Sequence, residues 1–497
     1  MELAYFISNI NNPAQLIPQM QAEWKGFYEL KAFREYNPKF HKIRDKALRP
    51  DKIVRVNTGL QDEQGNELTT PKVVNVARIP IPIQRLIVSR SAAFTTGGGV
   101  TLKADATTDA QRSLFTIVAN TWKNNKMDFR NNEIAKAFMS ETEVAEIWYS
   151  KVNQDKSVEM KCGIYKPSDG YTLVPVFDPY KDLIAFGLGF VSKSILADGR
   201  KVSTQHMDVY SADQLIKYVR IDGEQWKIAT ATADLPNPLP LVYGKIPVIY
   251  YSTQESAWQI VQDLIERYET LISNFADTND YNGSPILFSK GHIKGMSSKG
   301  EAGKLIESVG EGADLKYVTW EGAPESIKLE IETLRNLIFT CTQTPNISFE
   351  EMKSVGDISG VAFDRIMIDA HLKAKDYQSG IYGEGVQRRL NFLISACAEI
   401  TPGTPIAAKD LEIRPIFNLF RLNDDAARIQ NALLANGNKP VMGLKESVAY
   451  AGVSDDVEET YNVLEVENKA ALDEAAGLGT PDANPATPPT DPVPPTS

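Results

Sequence analysis

From Trp258 onward the apolar residues fall at Trp258, Val261, Ile265, Tyr268, Ile272 and Phe275, in steps of three and four. Such spacing gathers side chains into one stripe only on an α-helix, and the heptad-like seam lasts about 25 residues from Gln254. The other side is acidic: Glu255, Asp263, Glu266, Glu269, Asp277 and Asp280 stand against Arg267 alone. Gly283-Ser284-Pro285 stops the helix, and short strands with glycine turns follow from Ile286 to Trp320. A second helix opens at Pro324, because proline suits a first helical position. It runs to about Thr342 on the stripe Ile327, Ile331, Leu334, Leu337 and Ile338, and Thr344-Pro345-Asn346 ends it. After a polar loop, a long helix is expected from Ser359 to about Ile400, with Gly380, Gly383 and Gly385 as interruptions. Two long helices around a small β insertion, with a third beyond a loop, is a restrictive plan.

The sequence ahead of this core is mixed. Leu16, Ile17, Met20, Trp24, Phe27, Leu30 and Phe33 make a helical stripe that Asn37-Pro38 closes, since the residue before proline avoids helical dihedrals. Asp62 to Thr70 reads as a polar hairpin-like loop, and a helix is expected between Pro82 and Phe94. Gly97-Gly98-Gly99 then turns the chain into a strand at Val100–Lys103. Asp109 to Tyr149 shows two helical patterns, one on Leu114, Phe115, Val118 and Trp122, the other on Ile134, Phe138, Val144 and Ile147. From Trp148 to Tyr251, β-rich runs such as Leu173–Phe177, His206–Tyr210 and Tyr218–Ile221 alternate with Gly and Pro turns, as in a compact antiparallel region. Past Pro402, Leu411–Phe417 alternates like a strand, and helices are expected at Asp424–Ala435, Gly443–Ala451 and Glu458–Ala476. The remainder, Gly477 to Ser497, holds seven prolines and no aromatic residue. It cannot bury enough apolar surface to offset chain entropy and is expected to be disordered.

Charge and motif content exclude several functions. The 497 residues carry 53 basic and 64 acidic side chains, a net charge of −11. A protein that binds DNA by coating phosphates with lysine has the opposite balance. Cys162, Cys341 and Cys397 are too few and too scattered for a disulfide framework or zinc knuckle, and read as buried free thiols of a reducing compartment. Met1 to Asn12 lacks the basic and apolar regions of a signal peptide, and no run of about 18 apolar residues could span a membrane. His41, His206, His292 and His371 fit no metal or nucleophile spacing. Gly300-Glu301-Ala302-Gly303-Lys304 lacks the first glycine and final hydroxyl of a phosphate loop. The pairs Glu350-Glu351, Asp424-Asp425 and Asp455-Asp456 have no third ligand and suit helix caps. No catalytic, cofactor-binding or metal-binding residue is therefore assigned. The acidic helix side alone is explained by a solvated surface. Copies standing around an axis would instead turn it into a negative wall that repels phosphates and lets a duplex slide.

Several stretches resemble one family, the portal proteins of tailed double-stranded-DNA bacteriophages, in particular the Siphovirus-type group. Gly244-Lys245-Ile246-Pro247-Val248-Ile249-Tyr250-Tyr251 is similar to the strand before that family's first stem helix. Val261-Gln262-Asp263-Leu264-Ile265-Glu266-Arg267-Tyr268-Glu269 and Ser273-Asn274-Phe275-Ala276-Asp277 are similar to the helix itself. Thr344-Pro345-Asn346 through Gly356-Asp357-Ile358-Ser359-Gly360-Val361-Ala362 resembles the segment that follows the second stem helix. Tyr28–His41, Phe94–Val100 and Leu411–Asp424 add weaker likenesses, so the resemblance runs from about residue 25 to 470. Val144–Tyr149 lacks the glycine the family often has there, and 286–320 offers no match.

The resemblance implies an α+β fold of portal architecture: a wing over 1–253, stem helices at 254–282 and 324–343, a small β-containing clip at 283–323, and a tunnel loop at 344–358. A long tunnel-to-wing helix at 359–404, a mostly helical crown at 405–476 and the proline-rich tail at 477–497 complete it. It implies a ring, usually of twelve copies, at one capsid vertex of the virion, made in the host bacterial cytoplasm. Such a ring passes double-stranded DNA non-specifically and docks the terminase large subunit, then a head-completion or adaptor protein, beside major capsid and scaffold proteins. ATP hydrolysis would belong to the terminase, and the chain itself would need no cofactor and no membrane. Residues facing DNA would be Glu255, Asp263, Glu266 and Glu269, with Lys353, the single basic residue of the tunnel-loop segment, as a narrow positive belt. Trp258, Val261, Ile265, Tyr268, Ile272 and Phe275 would pack the stem. Two other readings stay open at this level: a virion or scaffold component that assembles without passing DNA, and an enzyme whose site is assembled from distant residues.

Overall fold

The computed structural model of the chain describes residues 31–61, 64–65, 67–195, 201–221, 225–231, 236–282, 286–294, 307–318, 324–346, 367–401, 403, 410–418, 420, 425–437, 440–452 and 457–477. They divide into two compact units, one reaching residue 346 and resuming from 367 to 420, the other covering 425–477.

The first unit opens with a helical turn at 31–36 and a 3-10 turn at Lys42–Arg44. Strands β1 (Lys52–Gln61) and β2 (Glu67–Val74) then form an antiparallel hairpin. An extended stretch leads to helix α1 (Ile83–Thr96), a turn at Gly99 with φ 71°, and β3 (Val100–Ala104). Helix α2 (Asp109–Asn124) is started by a capping box. The Thr108 hydroxyl accepts from the Gln111 N–H while the Gln111 side chain accepts from the Thr108 N–H. Helix α3 (Met127–Glu141) ends where Thr142 takes φ 68°.

At that point the structure departs from the periodic reading. Val144 and Ile147 do not continue a helix but lie in β4 (Glu143–Val152), whose first six residues are all buried. β4 is the central strand of a three-stranded sheet, between β12 (Val248–Ser252) and β5 (Val158–Tyr165). A strand covered on both faces is continuously apolar, and periodicity cannot tell such a run from a buried helix. The β-rich region also holds β6 (Thr172–Phe177), β7 (Leu183–Ile195), β8 (Lys201–Tyr210), β9 (Gln214–Ile221), β10 (Lys227–Ile228) and β11 (Leu239–Pro240). They make one antiparallel sheet in the order β10-β9-β8-β7-β6, with β11 on β9. Alternation along its strands serves two apolar layers. Leu173, Phe186 and Leu188 pack with Ala145, Ile147, Val248 and Tyr250 of the neighbouring sheet. Val174, Val176, Ala185, Val209 and Ile216 form the layer on the other face.

Helix α4 (Gln262–Asn282) follows a 3-10 turn at Gln259–Val261, so the first eight residues of the expected stem helix are not α-helical. β13 (Ile286–Lys294) and β14 (Glu307–Val318) form one long antiparallel hairpin rather than several short strands. Helix α5 (Pro324–Cys341) returns along α4. The third helix comes as two pieces, α6 (Ile368–Ser379) and α7 (Ile381–Ile400), broken at Gly380 (φ −111°, ψ −129°). β15 (Ile413–Phe417) pairs with β3 and so belongs to the first unit.

The main core lies among α1, α2, α3, α7 and the buried ends of β4 and β12. Ile87, Val118, Phe138, Val386, Leu390 and Leu393 are fully enclosed there. An ion pair crosses it. Arg389 of α7 donates from Nε and Nη2 to Glu146 of β4 at 2.7 and 2.6 Å, and from Nη1 to Asn131 Oδ1 at 2.8 Å. Its guanidinium lies 5.1 Å over the Trp122 ring, and both charged side chains are 0% exposed. Gly385 of α7 admits the Tyr251 ring. A Cβ there would stand 2.0 Å from Tyr251 Cε1.

The second unit holds α8 (Asp425–Ala435), α9 (Leu444–Ala451) and α10 (Val457–Gly477), joined by an ion pair between Lys445 and Glu458. Of the three cysteines, Cys162 and Cys397 are buried but Cys341 is exposed, which corrects the expectation of three buried thiols. Lys353, the acidic pairs at 350–351 and 455–456, the 300–304 turn, the 478–497 tail and the expected helix start at 359 lie outside the described residues.

Candidate functional site

The apolar seam divides in two. Trp258, Val261 and Ile265 are at most 1% exposed and belong to the main core. Tyr36 stacks on the Trp258 indole at 5.5 Å, and Trp258 Nε1 donates to Glu35 at 3.0 Å. Burial raises the Glu35 pKa, a rise that the Trp258 hydrogen bond only partly opposes. Tyr268, Ile272 and Phe275 are half-buried along the rest of α4. The seam therefore anchors the helix inside its own subunit first, and only its lower half stays partly open.

The acidic side is also divided. Glu255, Asp263 and Asp280 are exposed. Glu269 is 2% exposed, which removes it from any open acidic wall. Its Oε1 accepts from His41 Nδ1 at 2.6 Å and from the Ile81 N–H at 2.7 Å. Glu266 pairs with Lys42 Nζ at 2.9 Å, and that bond holds the lysine above its ordinary pKa. Asp277 accepts from Arg49 Nη2 at 2.7 Å and from the Ala77 N–H at 2.6 Å. Ser273 Oγ accepts from the Ile79 N–H at 3.0 Å, and Gln84 donates to Gln262 at 3.0 Å.

A geometric match underlies these bonds. Alternate amides of the stretch before α1, Ala77, Ile79 and Ile81, meet Asp277, Ser273 and Glu269, one helical turn apart and in the reverse direction. Two extended residues advance about 6.6 Å and four helical residues about 6.0 Å, so the two repeats stay in step. The expected one-sided acidic surface is thus half consumed by a strap from residues 41–84. The sequence could not show this, because the basic and amide partners lie some two hundred positions earlier in the chain.

Toward α5, Arg267 bridges to Glu330 through Nη2 at 2.6 Å, and Leu329 and Leu337 remain exposed. At the far end of α5, Lys373 Nζ donates to the Thr342 carbonyl at 2.7 Å and Arg90 donates to the Pro345 carbonyl. Burial draws the Lys373 pKa down to about 8. These two cations hold the chain where it leaves toward the expected tunnel loop.

Chemistry is sparse elsewhere. Among the described residues no group of His, Cys, Asp and Glu could hold a metal ion. A cleft of about 510 Å³ is lined by Phe33, Tyr36, Arg85, Phe129, Glu141 and Lys166, among others. Burial raises the Glu141 pKa, but its carboxylate is occupied by the Ser168 N–H and hydroxyl.

Compared with known protein families, residues 27–473 match the family described as phage portal protein, SPP1 Gp6-like. The chain belongs to this portal family. Among solved structures, a chain from the neck of an empty gene transfer agent particle, computed with C6 symmetry, has 11% identity and a TM-score of 0.35. The match covers 75% of this chain and 89% of the other. A chain from the virion of a native gene transfer agent particle has 11% identity and a TM-score of 0.34, covering 75% and 88%. Neither likeness is strong enough to carry the fold. No curated protein matches.

Membership makes this portal chain a structural virion protein with a portal or connector role, in a family that is not enzymatic. The residues that sequence reasoning missed are the strap donors His41, Lys42 and Arg49 and the clamp Arg90 and Lys373. The one sequence signal for the strap is the polar repeat Gln262, Glu266, Glu269, Ser273 and Asp277, spaced by three and four. It asks for a partner as plainly as the apolar seam does.

Proposed function

We propose that copies of this chain close into a ring, twelve in the family's usual form, at one capsid vertex, and that double-stranded DNA passes through the hole during packaging and ejection. The observation that carries this reading is the family match across residues 27–473, which takes in nearly every described element. In this reading residues 1–253 are the wing, α4 and α5 the stem, and β13–β14 the clip. The clip docks the terminase large subunit and later the head-completion or adaptor protein. The segment 344–358 is the tunnel loop, 359–404 the tunnel-to-wing helix, and 405–476 the crown toward the capsid interior, beside major capsid and scaffold proteins. No described helix is long and apolar enough to cross a membrane.

The conduit mechanism is electrostatic and non-specific. Glu255, Asp263 and Asp280 are the exposed carboxylates of 254–282 that repeat around the ring. Glu266 contributes what charge Lys42 leaves, and Glu269 contributes none to the surface. Repulsion at such a wall keeps the duplex centred without holding it. Lys353 would form one positive belt in the tunnel loop. DNA-filled particles from Lys353→Ala phage are expected to fall in number or to leak DNA. Normal packaging and retention would remove that residue's role. Light scattering on the purified chain tests the ring itself. A species of ten or more copies of 55.0 kDa is expected, and a chain that stays monomeric even with scaffold and capsid protein would contradict it.

A further inference from the structure

The β1–β2 hairpin is an open element of the first unit. Every described side chain from Lys52 to Gln61 and from Leu68 to Asn75 is exposed. Much of that surface is apolar: Ile53 is 72% exposed, Val73 63%, Leu60 64% and Leu68 45%, with Val54, Val56 and Val74 close behind. The register sets Ile53 opposite Val73 on one face, and Val54 opposite Lys72 and Val56 opposite Thr70 on the other. Both faces therefore carry exposed β-branched side chains, with none of the described residues burying them. The base of the ribbon is fixed, because Arg78 donates to Asp51 at 2.7 Å and Arg49 is tied to α4.

An isolated two-stranded ribbon is marginal in water and needs a third layer to be stable. Its β-branched composition makes strands, but only where those side chains pack. The ribbon has size enough for an interface. Ten residues extend about 33 Å and two strands span roughly 10 Å, so its two faces offer about 650 Å². That is close to the ~800 Å² that each partner contributes to a stable contact. Pro71 lacks an N–H and blunts the β2 edge against strand addition, which leaves the faces as the surface to be covered.

We propose that the β1–β2 ribbon lies across a second copy of this chain and is one of the contacts that close the ring; the inference rests on the portal reading. Charge argues for that occupant. Lys52, Arg55 and Lys72 stand at the base of the two strands, whereas Asp62, Glu63 and Glu67 come where the chain passes from one strand to the next, so the base half is basic on a chain of net charge −11. The same chain exposes Glu332, Asp369 and Asp376 on its helices. A copy thus offers an acidic counterpart to the basic base of its neighbour's ribbon. That basic base could also touch DNA, and the test separates the two.

A benzoylphenylalanine photo-crosslinker is placed in the full-length chain in place of Ile53, and separately in place of Val73. Light and ¹⁵N-labelled copies are co-assembled and irradiated, with DNA present and absent. The expected result is a ladder of cross-linked chains containing mixed light–heavy peptides, unchanged by DNA. The double variant Ile53→Glu with Val73→Glu is expected to keep its circular dichroism spectrum and lose assembly at least tenfold, down to the 55.0 kDa chain. Tyr180→Glu, at an 87% exposed site on another loop, is expected to assemble normally. Cross-links confined to one copy or to DNA, with a double variant that still assembles, would overturn the contact. If the unmodified chain forms rings in that case, the conduit stands and only the ribbon contact falls. Cross-links between copies that never close into a ring would support the contact and remove the conduit.

Discussion

Replacing Glu269 by alanine separates two pictures of the stem helix. If its carboxylate faced an open channel, truncation would leave stability alone and change only DNA passage. In the structure it is the shared acceptor of the buried His41 ring N–H and of the part-buried Ile81 amide. Truncation orphans two donors, each costing about 1–3 kcal/mol, so about 4 kcal/mol in total. For a unit of about 400 residues the unfolding entropy is near 0.8 kcal/mol/K, which converts that loss to a fall of about 5 °C in Tm. Glu269→Gln keeps a carbonyl acceptor and is expected to lose less than half as much. Asp263→Ala removes an exposed carboxylate one turn and a half away and is expected to move Tm by under about 1 °C. Differential scanning calorimetry of the three variants reads the order. Equal Tm values for Glu269→Ala and Asp263→Ala would refute the strap.

Three further outcomes follow from the core. Arg389→Met alone leaves Glu146 charged and unpaired at 0% exposure and is expected to cost about 3–5 kcal/mol in denaturant melts. Adding Glu146→Leu should recover most of it, and a pair of purely additive losses would count against the buried pair. Gly385→Ala gains about 1 kcal/mol of helix propensity but drives a Cβ to 2.0 Å from the Tyr251 ring. Net destabilisation of about 1–3 kcal/mol is expected, and a stabilised variant would show that the ring moves freely. Lys373 has a pKa depressed to about 8 by burial, so the unfolded chain binds the extra proton between about pH 8 and the ordinary lysine value. The penalty is fully present below pH 8 and fades as pH rises through that window, by about 3 kcal/mol in all. Lys373→Met is expected to gain stability at pH 7, and its advantage should shrink toward pH 10. A pH-independent difference would contradict the burial of the ammonium.

The sequence carried the helices and their order because their signals are local. The stripe at Trp258, Val261 and Ile265, the stop at Thr344-Pro345-Asn346 and the glycine break at 380 are all read within a few residues. Strands were read less well. Val144 and Ile147 passed for helix because a strand buried on both faces has no alternation. Lys52–Gln61 went unread as a strand because its described side chains are exposed on both faces and show no buried alternation. The acidic side of α4 was legible as composition but not as geometry. Glu269 and Asp263 look alike in sequence, and only His41 and Ile81, folded against one of them, make the first an internal support and leave the second outside. Arg389 and Glu146 were invisible for the same reason, since a pair separated by more than two hundred residues has no local pattern.

Electron microscopy of the purified, assembled chain tests the central claim most directly. A closed ring with an open axial hole, lined by α4 and α5 with Asp263 toward the opening, is the predicted image. A closed particle without a hole, or a ring with Asp263 on its outer rim, would contradict the account.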